Sequence, residues 1–520
     1  MTRRTGLRIA LMLIALAVFA AVRSWWPTDD KPMAKASKKG AAITQAHGER
    51  GFTLGSLAFA PCELGQRNST ATTAAYCTPF QVPENWDKPD GRKIDLKLAI
   101  VRSDAQVAER DLVVFLAGGP GQAATETYPR VQSGFGPLLK HRNLVLLDQR
   151  GTGSSHRLTC KESPADVDTA EVSELDLGRV RELTRACLTE VEAKSDPAQY
   201  TTTAAVRDLE AVRQALGAPE LDLVGVSYGT RVAQEYARRH PDGVRSLVLD
   251  SAVPGELILG SEFAINLDAA LKAQFAACTA TPECAKAFGD PYANLYKLRD
   301  ALAAKPIELD VHAPRTFEIQ KKTLNAPTLA AVARLFAYSP ETSALLPLSI
   351  SRALGGDYAP LVGEAEILND DLSDFQGNGM QLSVICAEDA DRLTDRPEHA
   401  KLILGDALVR VIRAQCEVWP RGKRPADFHE PLKSDKPVLV LEGELDPITP
   451  PRYGEAIVKN LPNGRLLVAK GQGHSVMGRG CFARLVGRFV ETLDAKGLDA
   501  GCIGQFGPTP AFIDYNGAAP

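Results

Sequence analysis

Residues 225–229 have the sequence Gly-Val-Ser-Tyr-Gly, and the segments on either side of them decide the fold. The apolar run at 221–224 has the length and composition of a buried strand. Residues 230–237 follow with helical periodicity and contain no helix breaker before Pro241. The two glycines let the chain turn sharply between strand and helix, which lifts the Ser227 hydroxyl clear of the backbone. The pattern predicts that Ser227 is a nucleophile; an ordinary glycine-rich loop is the alternative, since the chain has 42 glycines.

The composition of the 520-residue chain is that of a globular protein, with 44% hydrophobic and 24% charged residues. A net charge of −4, without a block of lysines and arginines, gives no reason to expect nucleic acid as a partner. The sequence has neither a His-Glu-x-x-His motif nor a phosphate-binding glycine loop with lysine. We therefore predict no metal and no cofactor.

The N-terminus predicts export. Three arginines within the first eight residues precede an apolar stretch at 9–22, which is shorter than the roughly 20 residues that span a membrane. A signal peptide within residues 1–28 is favoured, and an uncleaved membrane anchor is the alternative. Residues 29–48 have the composition of a flexible linker. Membrane contact is expected only through an uncleaved N-terminal segment.

Ten cysteines agree with an exported protein, because disulfides persist in oxidising compartments. No two cysteines have the Cys-x-x-Cys spacing of zinc or redox sites, and buried free thiols in a cytosolic enzyme are the alternative. Sequence does not fix connectivity, and we predict that neighbours along the chain pair. The predicted pairs are Cys62 with Cys77, Cys160 with Cys187, Cys278 with Cys284, Cys386 with Cys416, and Cys481 with Cys502.

Strand-like and helical segments alternate over the first half of the chain. Strand runs lie at 76–102 (a hairpin), 112–116, 144–147 and 246–249, and helical patterns lie at about 176–194 and 203–216. Strands separated by helices predict an α/β fold whose mostly parallel sheet is covered on both faces.

The alternation is interrupted between residues 256 and 430, where helical segments dominate and apolar strand runs are scarce. Strand runs return at 438–441 and 466–468. A helical insertion inside an α/β fold most simply forms a cap over the site, and an independent second domain is the alternative. We predict a core in two parts, 49–255 and 431–520, with a helical cap at 256–430.

Two residues after the elbow complete a catalytic arrangement. A serine hydroxyl needs a base, and the base needs a carboxylate that orients it. Asp446 and His474 each follow a strand run, and the chain order of serine, acid and histidine is that of an α/β-hydrolase. We predict that His474 takes the Ser227 proton and that Asp446 orients His474. Glu442 and Glu444 lie close to Asp446 in the sequence and are alternatives for the acid.

The tetrahedral intermediate of such chemistry also needs donors for its oxyanion. One should be the backbone N–H of Tyr228, next to the nucleophile, and the other should come from the loop after an early strand. Residues 117–121, Ala-Gly-Gly-Pro-Gly, suit that role because glycines let backbone N–H groups approach a substrate. Gly118 and Gly119 are both candidates, and a simple tight turn is the alternative.

Together, these motifs resemble the proline iminopeptidase and tripeptidyl aminopeptidase group of α/β-hydrolases, in particular its secreted branch. The resemblance extends from about residue 60 to about residue 505. It depends on the ordered combination of residues 118–121, 148–154, 225–229, 446–450 and 473–474. The chain departs from the family at Ala117, where many relatives have histidine before the glycines.

The resemblance implies exopeptidase action on peptides with a free N-terminus. Carboxylates of the cap would then pair with the substrate ammonium. The segment Cys-Ala-Glu-Asp at 386–389 resembles a motif at the cap border of this branch, which makes Glu388 the first candidate and Asp389 the second. Thr449 is a further candidate for substrate contact. A solvated acidic pair on the cap surface is the alternative for Glu388 and Asp389.

The sequence thus predicts an exported serine aminopeptidase that releases short N-terminal units from peptides through an acyl-enzyme. An esterase or lactone hydrolase with the same triad is the first alternative, because the triad cleaves esters more easily than amides. A catalytically inactive hydrolase-like binding protein is an alternative of another class, and the intact triad argues against it.

Overall fold

The computed structural model describes residues 51–66, 70–160, 176–313, 316–366 and 378–518. The predicted signal peptide or anchor (1–28) and the predicted linker (29–48) lie outside these residues. Among the helices of the described ranges, none is long and apolar enough to cross a membrane.

The described residues form a main sheet of ten strands and a separate sheet of two. The main sheet contains β1 (Phe52–Leu54), β2 (Leu57–Leu64), β3 (Thr73–Pro83), β4 (Lys93–Val101), β5 (Leu112–Leu116), β6 (Leu144–Leu147), β7 (Leu221–Val226), β8 (Val244–Asp250), β11 (Val438–Gly443) and β12 (Gly464–Ala469). The small sheet contains β9 (Ile307–His312) and β10 (Ile319–Leu324).

The order of strands across the main sheet is β1-β2-β3-β4-β6-β5-β7-β8-β11-β12. Pairs from β1 through β4 to β6 are antiparallel, and the predicted hairpin at 76–102 is confirmed as β3 and β4. All pairs from β6 to β12 are parallel. The carboxyl ends of β7, β8, β11 and β12 therefore meet at one edge of the sheet, where α/β folds bind their ligands.

The central parallel strands are buried on both faces. Every residue of β5, β6 and β11 is buried. Val114 packs in one hydrophobic cluster and its neighbours Val113 and Phe115 in another, as the two-residue period of a strand requires. The mostly parallel, doubly covered sheet predicted from the apolar runs is confirmed.

Helices cover the sheet and fill the region between β8 and β11. They are α1 (Ala124–Val131), α2 (Gly136–Leu139), α3 (Leu177–Glu192), α4 (Thr202–Ala215), α5 (Tyr228–Arg239), α6 (Phe263–Thr279), α7 (Pro282–Phe288), α8 (Pro291–Ala304), α9 (Ala326–Phe336), α10 (Pro340–Ser343), α11 (Leu346–Leu354), α12 (Asn378–Glu388), α13 (Ala407–Cys416), α14 (Pro451–Val458) and α15 (Phe482–Thr492). Residues 359–366 are also helical. The helices predicted at 176–194 and 203–216 are confirmed as α3 and α4, which begin after the capping side chains of Asp176 and Thr201.

Residues 256–430, between β8 and β11, are called the insertion below. Side chains of α6, α8, α9 and α11 form a hydrophobic core of their own. The later helices α12 and α13 pack instead on the core of the main sheet. The antiparallel hairpin of β9 and β10 was not predicted, because its alternating half-buried and exposed residues contain no apolar run.

Five disulfides join all ten cysteines, and the predicted neighbour-to-neighbour pairing is confirmed. The bonds are Cys62–Cys77, Cys160–Cys187, Cys278–Cys284, Cys386–Cys416 and Cys481–Cys502. The bond between Cys386 and Cys416 links α12 to α13, the two helices of the insertion that pack on the main core.

The last described residues cross from the second core part to the insertion. A Cβ built on Gly471 would lie 2.3 Å from the backbone nitrogen of Pro508, so the tail passes directly over the loop that contains Gly471. Farther along, the Phe512 N–H donates a 2.9 Å hydrogen bond to the Ala344 carbonyl. Residues 511–513 pack beside the Cys278–Cys284 disulfide. The segment assigned to core residues 431–520 thus also contacts the insertion.

Candidate active site

Ser227 lies in a sharp turn between β7 and α5. Its backbone has φ 55° and ψ −124°, a conformation that side-chain-bearing residues rarely adopt. Its N–H donates a 2.9 Å hydrogen bond to the carbonyl of Asp250, the last residue of β8. This combination of strand, strained serine and helix is the geometry of a nucleophile elbow.

The flanking glycines are required by close approach of the backbone. A Cβ on Gly225 would lie 2.6 Å from the Gly229 carbonyl oxygen, and a Cβ on Gly229 would lie 2.0 Å from the Leu116 carbonyl oxygen. Both distances are far shorter than a carbon–oxygen contact allows. A side chain at Gly229 would therefore push the elbow away from β5, and a side chain at Gly225 would push the end of β7 away from the first turn of α5.

The structure brings His474 and Asp446 together. The His474 Nδ1 lies 2.8 Å from the Asp446 Oδ2, and the two side chains form a hydrogen-bonded pair in which the aspartate is buried and the histidine is partly exposed. Of the alternative acids, Glu442 accepts a hydrogen bond from the Ala252 N–H, and Glu444 accepts one from the Gly471 N–H. Asp446 is thus the carboxylate that contacts the histidine.

Backbone and hydroxyl donors surround the remaining positions on Asp446. Its Oδ1 accepts hydrogen bonds from the N–H groups of Ile448 (2.8 Å) and Thr449 (2.9 Å). The Thr449 hydroxyl donates to Oδ2 at 2.9 Å. The structure contradicts the prediction that Thr449 contacts substrate, because this side chain is buried and its hydroxyl is used on Asp446.

The pair shifts the pKa of each partner toward the charged form. Burial by itself would raise the pKa of Asp446, but the His474 charge and the hydrogen bonds hold that pKa below its ordinary value. Burial would likewise lower the pKa of His474, and the Asp446 carboxylate outweighs it and raises that pKa. An imidazolium formed during a reaction would therefore be stabilised in place.

Asp250 joins the nucleophile to the histidine loop, and its role was not predicted. Its carbonyl accepts from Ser227, as described above, while its carboxylate accepts hydrogen bonds from the Ser475 hydroxyl (3.0 Å) and from the N–H groups of Val476 and Met477 (both 2.9 Å). One fully buried residue therefore fixes both the elbow and the segment after His474. An aspartate at the end of an apolar strand run was the available signal in the sequence.

The predicted oxyanion loop lies beside the nucleophile. A Cβ on Gly118 would lie 3.1 Å from the Ser227 Cβ, so these two residues are direct neighbours. Gly119 has φ 109° and a cis bond to Pro120. Tyr228 is the first residue of α5, where backbone N–H groups have no intrahelical acceptor. Gly118 and Gly119 both remain candidates for the second donor.

The insertion contacts the histidine directly through Tyr338. The rings of Tyr338 and His474 pack edge to face, with centroids 5.1 Å apart. The backbone N–H of His474 donates a 2.8 Å hydrogen bond to the Tyr338 carbonyl. A Cβ on Gly473 would lie 2.3 Å from that same carbonyl oxygen, which explains the glycine before the histidine. Tyr338 was not predicted, and no sequence motif marks it.

The structure contradicts the assignment of Glu388 and Asp389 to an ammonium-binding surface. Both side chains are fully buried. The two Glu388 oxygens accept hydrogen bonds from the N–H (2.7 Å) and the hydroxyl (2.9 Å) of Thr202, and Asp389 forms a 2.8 Å ion pair with the buried guanidinium of Arg231. Burial raises the pKa of Glu388 to about 8. These carboxylates hold α12 against the core instead of facing a substrate.

The sequence matches the family model of the alpha/beta hydrolase fold over residues 111–478, which is well over half of the chain. This chain is an α/β-hydrolase. The fold class expected from the elbow and from the order of the triad is thus confirmed. Within the described residues, no group of three histidine, cysteine, aspartate or glutamate side chains could hold a metal ion.

Curated relatives of this hydrolase include named serine proteases and aminopeptidases. Serine protease Hip1 of Mycobacterium tuberculosis is 26% identical over 457 residues, which cover 81% of this chain and 85% of Hip1. Tripeptidyl aminopeptidase of Streptomyces coelicolor is 25% identical over 469 residues, 84% of either chain. Proline iminopeptidase of Neisseria gonorrhoeae is 30% identical over 137 residues, 26% of this chain and 31% of its own. The resemblance to the proline iminopeptidase and tripeptidyl aminopeptidase group is confirmed.

Proposed function

We propose that this α/β-hydrolase is an exported serine aminopeptidase, which releases short N-terminal units from peptides through an acyl-enzyme. The observation that supports it most is the hydrogen-bonded His474–Asp446 pair at the sheet edge where the Ser227 elbow lies. The likeness to tripeptidyl aminopeptidase and to serine protease Hip1 favours peptides over simple esters as substrates.

In the proposed reaction, the Ser227 hydroxyl attacks the carbonyl carbon of the scissile bond as its proton passes to the free nitrogen of His474. The Asp446 carboxylate stabilises the imidazolium through the Nδ1–H. The oxyanion is bound by the Tyr228 N–H and by one N–H of the glycine loop.

Collapse of the intermediate then breaks the C–N bond, and His474 returns the proton to the leaving amine. The N-terminal unit remains esterified to Ser227. A water molecule that loses its proton to His474 hydrolyses this ester and regenerates the serine. No residue outside the triad and the oxyanion donors is needed for proton transfer.

Exopeptidase action is supported by the insertion, whose residue Tyr338 packs against His474. A site that the insertion borders on one side accepts the end of a peptide more readily than the middle of a long chain. Preference for a free N-terminus follows from the likeness to a tripeptidyl aminopeptidase. Export is supported by five disulfides together with the arginine-rich, apolar start of the sequence.

The test is mass spectrometry of the products from a peptide library in which each sequence has either a free or an acetylated N-terminus. We expect short N-terminal fragments from the free peptides only. The Ser227→Ala variant should release none, whereas Ser133→Ala, at an exposed position, should behave as the parent. Internal cleavage of acetylated peptides would overturn the exopeptidase proposal.

A fluorophosphonate probe separates an enzyme from an inactive binding protein. The probe should label the parent protein at Ser227 and leave Ser227→Ala unlabelled. An unlabelled parent that still binds peptides would identify a binding protein instead.

A further inference from the structure

Arg334 is a cation of the insertion that lies near the candidate catalytic histidine. It belongs to the last turn of α9, and its guanidinium carbon is 5.4 Å from the ring centre of Phe263 and 5.7 Å from that of Tyr338. The Nη2 is 3.3 Å from the Tyr338 hydroxyl. The faces of the two aromatic rings hold the guanidinium in place.

Among the residues that the structure describes, no carboxylate pairs with Arg334. Its Nε is enclosed and has no acceptor there. Comparable arginines at the border of the insertion are paired, since Arg452 contacts Glu262 at 2.9 Å and Arg231 contacts Asp389 at 2.8 Å. Enclosing part of a cation without a partner is unfavourable, so such a group is typically kept for a ligand.

The position of Arg334 relative to the triad indicates which part of a substrate it would meet. Tyr338 contacts both residues, since its hydroxyl lies 3.3 Å from the Arg334 Nη2 and its ring packs edge to face against the His474 imidazole. The charge of Arg334 reaches the imidazole and acts against its protonation. In the proposed reaction the histidine protonates the leaving amine, so groups on its side of the site face the leaving portion of the peptide.

We propose that Arg334 is a specificity residue that binds a carboxylate on the leaving portion of the peptide. This inference depends on the proposed function. The carboxylate has two possible sources, the C-terminus of a short substrate or an acidic side chain just after the scissile bond. Either would form charge-assisted hydrogen bonds with the unpaired guanidinium. The substrates favoured by this chain would then be short or acidic on the leaving side.

The experiment compares kcat/KM for matched peptides with the parent enzyme, Arg334→Met and Arg334→Lys. One pair of peptides differs only in a C-terminal carboxylate or carboxamide, and a second pair has Glu or Gln after the scissile bond. We expect the parent to favour the carboxylate member of at least one pair by about ten- to hundredfold, as for one charge-assisted contact. Arg334→Met should bring that ratio close to one, and Arg334→Lys should retain part of it.

Arg352→Met is the matched control. Arg352 also lies on a helix of the insertion and stacks on an aromatic ring, that of Tyr515 at 5.2 Å, but it is exposed. Its variant should keep the parent ratio. Rates on the carboxamide and Gln peptides should change by less than about threefold in Arg334→Met, because the methionine keeps most of the stacking volume.

Two results would overturn the proposal: a parent enzyme without preference in either pair, or equal loss by Arg334→Met on both members of each pair. The first would show that no carboxylate is bound, and the second that Arg334 only supports the fold. If the parent cleaves no peptide, the proposed function fails. The Arg334 comparison is then repeated with esters whose leaving alcohol bears a carboxylate or a carboxamide.

Discussion

The main sheet and the insertion meet at His474, and the charged side chains that each brings near this histidine differ in their partners. At the ends of β8 and β11, the carboxylates of Asp250 and Asp446 accept three and four hydrogen bonds, respectively, from groups of fixed position. On the insertion side, the guanidinium of Arg334 has no carboxylate partner within the described residues. The difference shows that the sheet holds the Asp250 and Asp446 carboxylates in fixed positions, whereas the proposed role of Arg334 would use a charge that no carboxylate of the described residues neutralises.

This division follows from how each region is held. The catalytic loops begin at the ends of adjacent parallel strands, so the strand spacing determines where their side chains can lie. Preorganised donors of this kind lower the reorganisation needed at the transition state. Most of the insertion packs around a separate hydrophobic core, and its residue Tyr338 contacts His474.

The largest effect is expected from removing the charge of Asp446, the carboxylate that the sheet places beside His474. Asp446→Asn keeps the side-chain volume but replaces the carboxylate with a neutral amide. The His474 Nδ1–H then loses the charged acceptor that orients the ring. We expect kcat to fall by about 10⁴-fold with a smaller change in KM. Steady-state kinetics on a free peptide test this. A loss below about tenfold would show that Glu442 or Glu444 can serve as the acid.

The pH dependence of activity tests the effect of the Asp446 carboxylate on the pKa of His474. The Asp446 carboxylate raises the pKa of His474 above 6.5, and catalysis requires the neutral imidazole. Activity should therefore be lost as the pH falls through a midpoint above 6.5, by about tenfold for each pH unit below it. In Asp446→Asn that midpoint should move to lower pH. A midpoint at or below 6.5 in the parent would contradict the assigned coupling.

A substitution of Asp250 tests whether the end of β8 determines the position of the loop that contains His474. Asp250→Asn would turn an amide N–H₂ toward donors that now meet a carboxylate oxygen, which should cost about 1–3 kcal/mol of the free energy of unfolding. Displacement of the loop with His474 should also lower kcat by about 10²-fold. Thermal unfolding and kinetics on the same samples measure both.

The control for Asp250 is Asp222→Asn. Asp222 is another buried carboxylate of the sheet, paired with Arg245 at 3.0 Å, but it has no contact with the triad. It should lose stability and keep kcat. If both variants keep kcat, Asp250 is a structural residue without influence on His474.

Much of the sheet, the elbow at Ser227 and the contact between Asp446 and His474 could be predicted because the signals are local. The apolar runs of β5 and β6 indicate buried strands, and the strand and helix on either side of the Ser227 glycines favour an elbow over an ordinary loop. The chain order of serine, acid and histidine then narrows the candidates for the acid and the base to a few residues. Disulfide pairing was also predictable here, since every cysteine pairs with its neighbour in the sequence.

The remaining site residues depend on contacts between distant segments, which a single sequence does not display. Asp250 acts on a loop more than 200 residues away, and Tyr338 reaches His474 only because α9 folds onto the sheet edge. Glu388 was predicted to face substrate because its motif resembles a cap border. Its burial depends on Thr202, which lies 186 residues earlier in the chain. Local patterns therefore predicted the elbow and the Asp446–His474 contact, but they did not predict the surroundings of Glu388.

The smallest expected effect concerns this corrected residue. Glu388→Gln keeps one acceptor for Thr202 but loses part of a buried network that also includes the Tyr228 hydroxyl, 2.6 Å from the Thr202 hydroxyl. We expect a cost of about 1–3 kcal/mol in the free energy of unfolding. Because the carboxylate does not face the site, any fall in kcat/KM should be similar for a free-amine peptide and for a simple ester. The two factors should agree to within about threefold. Glu364→Gln, at another largely buried carboxylate of the insertion, serves as the control for stability loss alone. A selective loss of kcat/KM on the free-amine peptide would support the original prediction that Glu388 binds the substrate ammonium. Glu388 and the proposed Arg334 site would then both contribute to substrate selection by the insertion.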